Sequence, residues 1–499
     1  MAFLFIVSLG FASIPIFSCE FLSINDYLNH LSRAAVLLWY YDDPGVSLYF
    51  LPNWKPLPNL AFDIWIFGLG RILPVAVAGK LFVVATFALL LSGVIFLHRC
   101  TFKKWSLWPF LALLLLYNRL LLVGYLNFLF GSALWLYAFS LWVYFRSARA
   151  ALRISILSIS ALIIFFMHLA AFGLLALTIA VYEMAVFRSS PERWQTKLGD
   201  LSLLAIPFLP PVLIAVFFSP LSSASVAIRY RDIATRIAGF AVPILYDWRI
   251  DGVCYLLMLG LFLWALVTKS MKFDGRLSAC VFFLFVLQFC MPNVIITAEG
   301  GDRRVPLPMM LLAIGATDLR TDSRNQRLCF VLATGAVFLF RIADVEARWL
   351  SDQPIYADVW RGLSALPAGA RVASAFSPDS FDDFSVHALA VCFIPVWGIV
   401  SRGGFTQTLF ASPTQQPLVL TPKYEALAAA TPAGSLWRAF VADADTDERA
   451  PLTPGLVAAL REYDFIVFVG RRGFAIRNTP FLRLLYHGQY VRIYRLGWR

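Results

Sequence analysis

Charge is what this chain has least of. Asp, Glu, Lys and Arg make up only 14% of its 499 residues, against roughly a quarter in soluble globular proteins. That leaves too little polar surface to clothe a core of this size in water. Histidine occurs five times and cysteine seven. The cysteines, at 19, 100, 254, 280, 290, 329 and 392, have no metal-ligand spacing and mostly lie in or beside apolar runs. They imply neither a disulfide framework nor a metal cluster. No internal repeat and no low-complexity segment occurs. Acids number 30 against 42 bases, but the surplus sits in short loops between apolar segments, where it sets topology, so nucleic acid is not an expected partner.

What is present is apolar: 60% of the residues are hydrophobic. The runs predict a polytopic, mainly α membrane protein with about eleven spans, near 2–19, 72–97, 106–122, 126–145, 154–167, 169–187, 201–218, 253–268, 279–297, 305–318 and 328–342. Alternate connections carry the bases: His98, Arg99, Lys103 and Lys104; Arg146, Arg149 and Arg153; Arg188, Arg193 and Lys197; Lys269, Lys272 and Arg276; Arg320, Arg324 and Arg327. The positive-inside rule puts those loops in the cytoplasm, with the amino terminus inside and the carboxyl end outside. The first span reads as uncleaved, since no small-residue cleavage site closes it. Residues 386–400 contain Pro395 and are shorter than a bilayer requires, so they are expected to be buried in a soluble domain.

Beyond about residue 343 the composition becomes that of a globular domain. "ARVASAF" (370–376), "DFIVFVG" (464–470) and "YVRIYRL" (490–496) read as strands, and "PGLVAALREY" (454–463) as a helix. The expected organisation is a membrane domain over 1–342 and an extracytoplasmic α/β domain over 343–499. Asp382, Asp383 and His387 sit close together in the latter but form no recognisable catalytic set.

Polar chemistry on the outer side is confined to a few places. In "SINDYLNHLSR" (23–33), Asp26, Asn29, His30 and Arg33 fall at i, i+3, i+4 and i+7 and share one helix face. Lys55 follows in the same loop, and Arg229 with Arg231 and Arg303 with Arg304 lie in later ones. Lys80, inside the second span, is expected mainly to snorkel. A sugar transferred outside the cytoplasmic membrane needs a donor already in the bilayer, such as a polyprenyl-phosphate sugar. Its phosphate is a good leaving group and asks for cations; the acceptor hydroxyl asks for a base within hydrogen-bond reach. Asp26 as base, Lys55 on the donor phosphate, and Arg229, Arg231, Arg303 and Arg304 completing the cradle is the minimal assignment. His30 could assist the base, and Asn29 and Arg33 could line an acceptor pocket. A transporter of lipid-linked saccharide, or a non-catalytic scaffold, would use the same cations without needing the base.

"KPLPNLAFDIWIFGLGRILPVAVAG" (55–79) resembles the first external loop and second span of the protein O-mannosyltransferase and aminoarabinose transferase branch of the C-type (GT-C) glycosyltransferases. "DRRVPLP" (302–308) is loosely similar to a late arginine-rich loop in that branch. The resemblance implies an inverting glycosyltransferase of the bacterial inner membrane. Asp26 stands by position where the branch has its catalytic base, and the acceptor would be an extracytoplasmic glycan, lipid or protein. Two departures stand out: Asp26-Tyr27 replaces the usual Asp-Glu pair, and Asn118-Arg119 occupies a loop where many relatives keep an acid. They leave the sugar open, as well as metal dependence. No metal ligands are assigned; a divalent metal remains possible.

Overall fold

Apolar residues on every side of a helix, as in "VAVAGKLFVVATFALLLSGVIF" (75–96), leave no polar face for water, and such segments are stable where lipid or protein surrounds them. The computed structural model describes residues 1–189, 203–223, 227–246, 248–296, 299–320, 323–376, 390–441 and 450–498. Arg193 and Lys197, and Asp382, Asp383 and His387, lie outside these residues.

The chain is mainly helical. Among the described residues six helices are long and apolar enough to cross a membrane, the make-up of a multi-pass membrane protein: Val75–Phe102, Leu126–Tyr144, Ala150–Met167, Leu169–Ser189, Ile250–Val267 and Arg324–Ser364. The other expected spans correspond to shorter pieces, Ala2–Ser18, Trp108–Val123, Leu209–Phe218 and Gly275–Cys290, with Pro306–Gly315. The reasons are local. Pro210 and Pro211 open the 209–213 helix, and Pro306 and Pro308 confine their helix to 10 residues. Trp108–Leu115 winds as a 3-10 helix.

Two compact units emerge. The first comprises Met1–Pro15, Lys55–Ala61 and Phe82–Val345; the second comprises Ile16–Trp54, Phe62–Leu81 and Glu346–Arg499. In the first unit, the long apolar helices enclose Phe82, Phe87, Phe128, Trp135 and Phe139, all fully buried. Charged side chains are buried with them, Arg341 among these. The guanidinium of Arg341 donates to the Asp251 carboxylate at 2.9 Å and to the carbonyls of Tyr117 and Ile244. Three separated segments thereby converge on one side chain, so this intramembrane arginine has a structural explanation. Glu183 likewise receives the Trp142 indole at 2.8 Å and lies 3.3 Å from both Arg146 and Arg153.

The second unit contains a four-stranded sheet. Val372–Phe376 runs parallel to Phe465–Val469, which pairs antiparallel with Val491–Leu496, which in turn pairs with the edge strand Leu482–His487. Val372–Phe376, at one edge, and the central Phe465–Val469 are buried throughout. The helix Pro454–Leu460 precedes Phe465–Val469 and is capped by Thr453 Oγ1, which accepts from the Leu456 N–H. Ala390–Val400 is a short, mostly buried apolar helix. Phe50–Pro52 pairs antiparallel with Leu418–Leu420, so the segment around Asp26 and the last third of the chain belong to one packed body.

Candidate functional site

The polar stripe forms the helix Tyr27–Trp39, whose residues from Tyr27 to Leu38 are all buried within the second unit. Tyr27 packs edge-on against Phe62 at 6.1 Å, and its hydroxyl reaches Ala76 O at 3.4 Å. Gly79 is required beside it, because a Cβ there would collide with the Tyr27 hydroxyl.

Each polar group of the stripe has a distinct surrounding. Asn29 Nδ2 donates to Thr408 O at 2.7 Å, and its Oδ1 accepts from the Phe410 N–H at 2.7 Å. The His30 ring lies between Phe62, at 6.0 Å, and Phe410, at 5.7 Å. Arg33 makes a bidentate pair with Asp63, Nε to Oδ1 at 2.9 Å and Nη2 to Oδ2 at 2.7 Å, with both side chains out of solvent. The remaining nitrogen, Nη1, is buried without a hydrogen-bond partner among the described residues.

Asp26 differs from the others. It stands at the amino-terminal boundary of the helix, half-buried, and its carboxylate makes no capping hydrogen bond. Burial pushes the carboxyl up to about 7, while Arg33 pulls in the opposite direction. Arg33 does not win because Asp63 already neutralises it at contact distance. The outcome is an acid poised near neutrality, the condition general-base catalysis favours.

A second cluster lies in the first unit. Ala227–Arg229 pairs with Val294–Ile296, and Asn293 then holds the following loop, its Oδ1 accepting from the Gly300 N–H at 3.2 Å and its carbonyl from the Gly301 N–H at 2.9 Å. Gly300 has φ +74 and faces the Tyr125 hydroxyl, so no larger residue fits. This loop delivers Arg304 over the rings of Tyr125 and Phe128, 4.5 and 5.9 Å from their centroids. Burial depresses the Arg304 pKa, and its Nε has no hydrogen-bond partner among the described residues. His168, against Phe128 at 5.3 Å, is held neutral by burial and then by Arg304. Its Nδ1 accepts from the Ala170 N–H at 3.1 Å, so the neutral ring carries its proton on Nε2.

The other predicted cations are placed as follows. Arg231 Nε is 3.9 Å from Asp302 Oδ2, and Arg303 is half-buried in the same 3-10 turn as Arg304. Arg229 is exposed beside its strand. Lys55 is exposed, and the chain after it is fastened by Asn127 Nδ2 to Asn59 O at 2.8 Å and by the Leu60 N–H to Phe166 O at 2.9 Å. Lys80 Nζ donates to Cys19 O at 2.6 Å, serving the carboxyl end of the first helix. Asp63, Tyr125 and His168 were not singled out by sequence. Asp63 alone left a trace, as the one acid in "AFDIWIFGL" (61–69). No group of three His, Cys, Asp or Glu side chains that could hold a metal occurs among the described residues.

Neither a protein-family model nor a curated protein matches this chain.

Proposed function

We propose that the protein is an inverting glycosyltransferase of the GT-C type. It takes a sugar from a polyprenyl-phosphate donor and passes it to an extracytoplasmic glycan, lipid or protein. The orientation expected from the basic loops gives it a multi-pass setting in the bacterial inner membrane with the chemistry on the outer side.

The acceptor hydroxyl oxygen attacks the anomeric carbon from the face opposite the phosphate, and its proton passes to the Asp26 carboxylate. The bond between the anomeric carbon and the phosphate oxygen breaks, and the electron pair leaves with the polyprenyl phosphate. One carboxylate suffices for this single displacement. Arg304, a half-buried guanidinium whose Nε has no hydrogen-bond partner among the described residues, has the chemistry of a phosphate ligand, and His168 Nε2–H is a donor of the same use. Arg33 Nη1 is a donor to which an acceptor oxygen could bond.

The observation that carries the reading is Asp26, a half-buried acid without a capping bond whose carboxyl lies near 7. The test is sugar transfer from radiolabelled polyprenyl-phosphate sugars to cell-envelope extracts by purified wild type and Asp26→Asn. Wild type should transfer with a rate that rises with pH to a plateau above about 7, and Asp26→Asn should bind donor but not transfer. Turnover retained in Asp26→Asn overturns the base assignment. Donor binding without transfer by either protein would favour a transporter.

A further inference from the structure

The helix that supplies Asp63 has a second face, which the transfer chemistry does not use. Ala61–Leu69 buries Phe62, Asp63 and Ile66, and Asp63 there holds Arg33. The opposite side is open: Ile64 is 48% exposed and Phe67 38%, with Gly68 exposed beside them. The Gly70 N–H donates to Ile66 O at 2.7 Å and the Leu73 N–H to Leu69 O at 2.9 Å. Helical bonding therefore runs on for another turn and adds the exposed Arg71 and Ile72. Positions 64, 67, 68, 71 and 72 fall at helical spacing and form one stripe, apolar except for Arg71. Trp54, 52% exposed, packs edge-on against Phe67 at 5.9 Å and widens it. Trp54 and residues 62–81 all belong to the second unit.

The level of this stripe is set by one hydrogen bond. The Trp65 indole donates at 2.9 Å to the carbonyl of Ala78, in the first turn of Val75–Phe102. That span has 28 residues, which makes it about 42 Å long at the α-helical rise, against roughly 30 Å for the hydrocarbon core of a bilayer. Its first turn therefore stands among the headgroups, and Trp65 holds the shorter helix at that height. Ala76 and Val77 of the same turn are exposed as well, so the apolar stripe continues onto the span without a break. The Arg71 guanidinium lies 5.0 Å above the Phe67 ring. It keeps its stem along apolar surface and its charge at the rim, as cations do at a membrane boundary.

We infer that this face is bedded in the surface of the bilayer, with Ile64, Phe67 and Ile72 below the headgroups and the Arg71 guanidinium among their phosphates. An apolar stripe continuous with a membrane span is matched by lipid, and an indole at its edge suits the boundary between headgroup and acyl chain. The same nine-residue helix then rests on lipid with one face and grips Arg33 with the other. None of the open-face side chains belongs to the residue set of the proposed transfer chemistry.

The test is spin-label spectroscopy on full-length protein in nanodiscs of phosphatidylcholine and phosphatidylglycerol. The exposed Cys290 and Cys329 are replaced by serine, and single labels are placed on Ile64→Cys, Phe67→Cys and Ile72→Cys. All three replace exposed side chains, so folding should survive, and elution as a single species checks it. Molecular oxygen, which partitions into lipid, should relax each label more strongly than a water-soluble nickel complex does. Stronger relaxation by the nickel complex overturns the inference by placing the stripe in water. Protection of the labels from both reagents overturns it equally, by placing protein over the stripe.

Discussion

Replacing Asp26 with asparagine should stop transfer and, at the same time, stabilise the protein in a pH-dependent way. Burial holds the carboxyl near 7, against an ordinary value of 3.8. Between those two values the folded chain keeps a proton that the unfolded chain has released, so wild type loses stability as pH rises through that window and loses no more above it. The gap from 3.8 to about 7 corresponds to at most about 4.5 kcal/mol at roughly 1.4 kcal/mol per tenfold change. The partial exposure of Asp26 brings this nearer to about 2 kcal/mol through solvent screening. Asparagine keeps the shape and has no proton to lose. The difference in melting temperature between variant and wild type should therefore be close to zero at about pH 4 and grow to a plateau by about pH 8. Other carboxylates titrate identically in both chains and cancel. The assay is thermal unfolding in one detergent at one scan rate, since large membrane proteins unfold irreversibly. A difference that stays constant across the pH range would refute the reasoning, because Asp26 would then titrate as an ordinary surface acid.

Asp63→Ala strands the Arg33 charge out of solvent and should cost about 3–5 kcal/mol; adding Arg33→Met should recover most of the lost melting temperature. Arg341→Met should be similarly damaging because the buried Asp251 carboxylate loses the guanidinium that offsets its charge, and the measurement is the folded yield in detergent by size-exclusion chromatography. Arg304→Gln keeps a polar side chain but removes the cation from over the Tyr125 ring, so donor-lipid affinity should fall roughly tenfold with only a small change in melting temperature. Loss of folding together with affinity would mark Arg304 as structural.

The regular elements were legible wherever one physical signal dominated. "DFIVFVG" (464–470) and "YVRIYRL" (490–496) announce strands through β-branched and aromatic residues, and the structure has Phe465–Val469 and Val491–Leu496. Leu482–His487 escaped notice because it is an edge strand, mostly exposed, and shows no alternation of buried and open positions. The stripe of Asp26, Asn29, His30 and Arg33 was visible by spacing, but what surrounds each residue was not. Arg33 is matched by an acid 30 positions on, and Asn29 by backbone groups 379 and 381 positions on. Helix periodicity contains no information about partners that far away. Composition likewise located the apolar segments but not their usable lengths, which prolines and a 3-10 run shorten.

The Asn29 side chain, bonded to Thr408 and Phe410 as a strand would be to its neighbour, has a bearing on the order of assembly. The helix that follows Asp26 leaves the ribosome hundreds of residues before the backbone groups that bond Asn29 are translated. Until then Asn29 must wait, unsatisfied, beside a growing apolar chain. Closing a loop of that length is slow, so the surroundings of Asn29 come into being late in folding. A chain halted before residue 405 should therefore insert its helices and still have Asn29 without these two backbone partners.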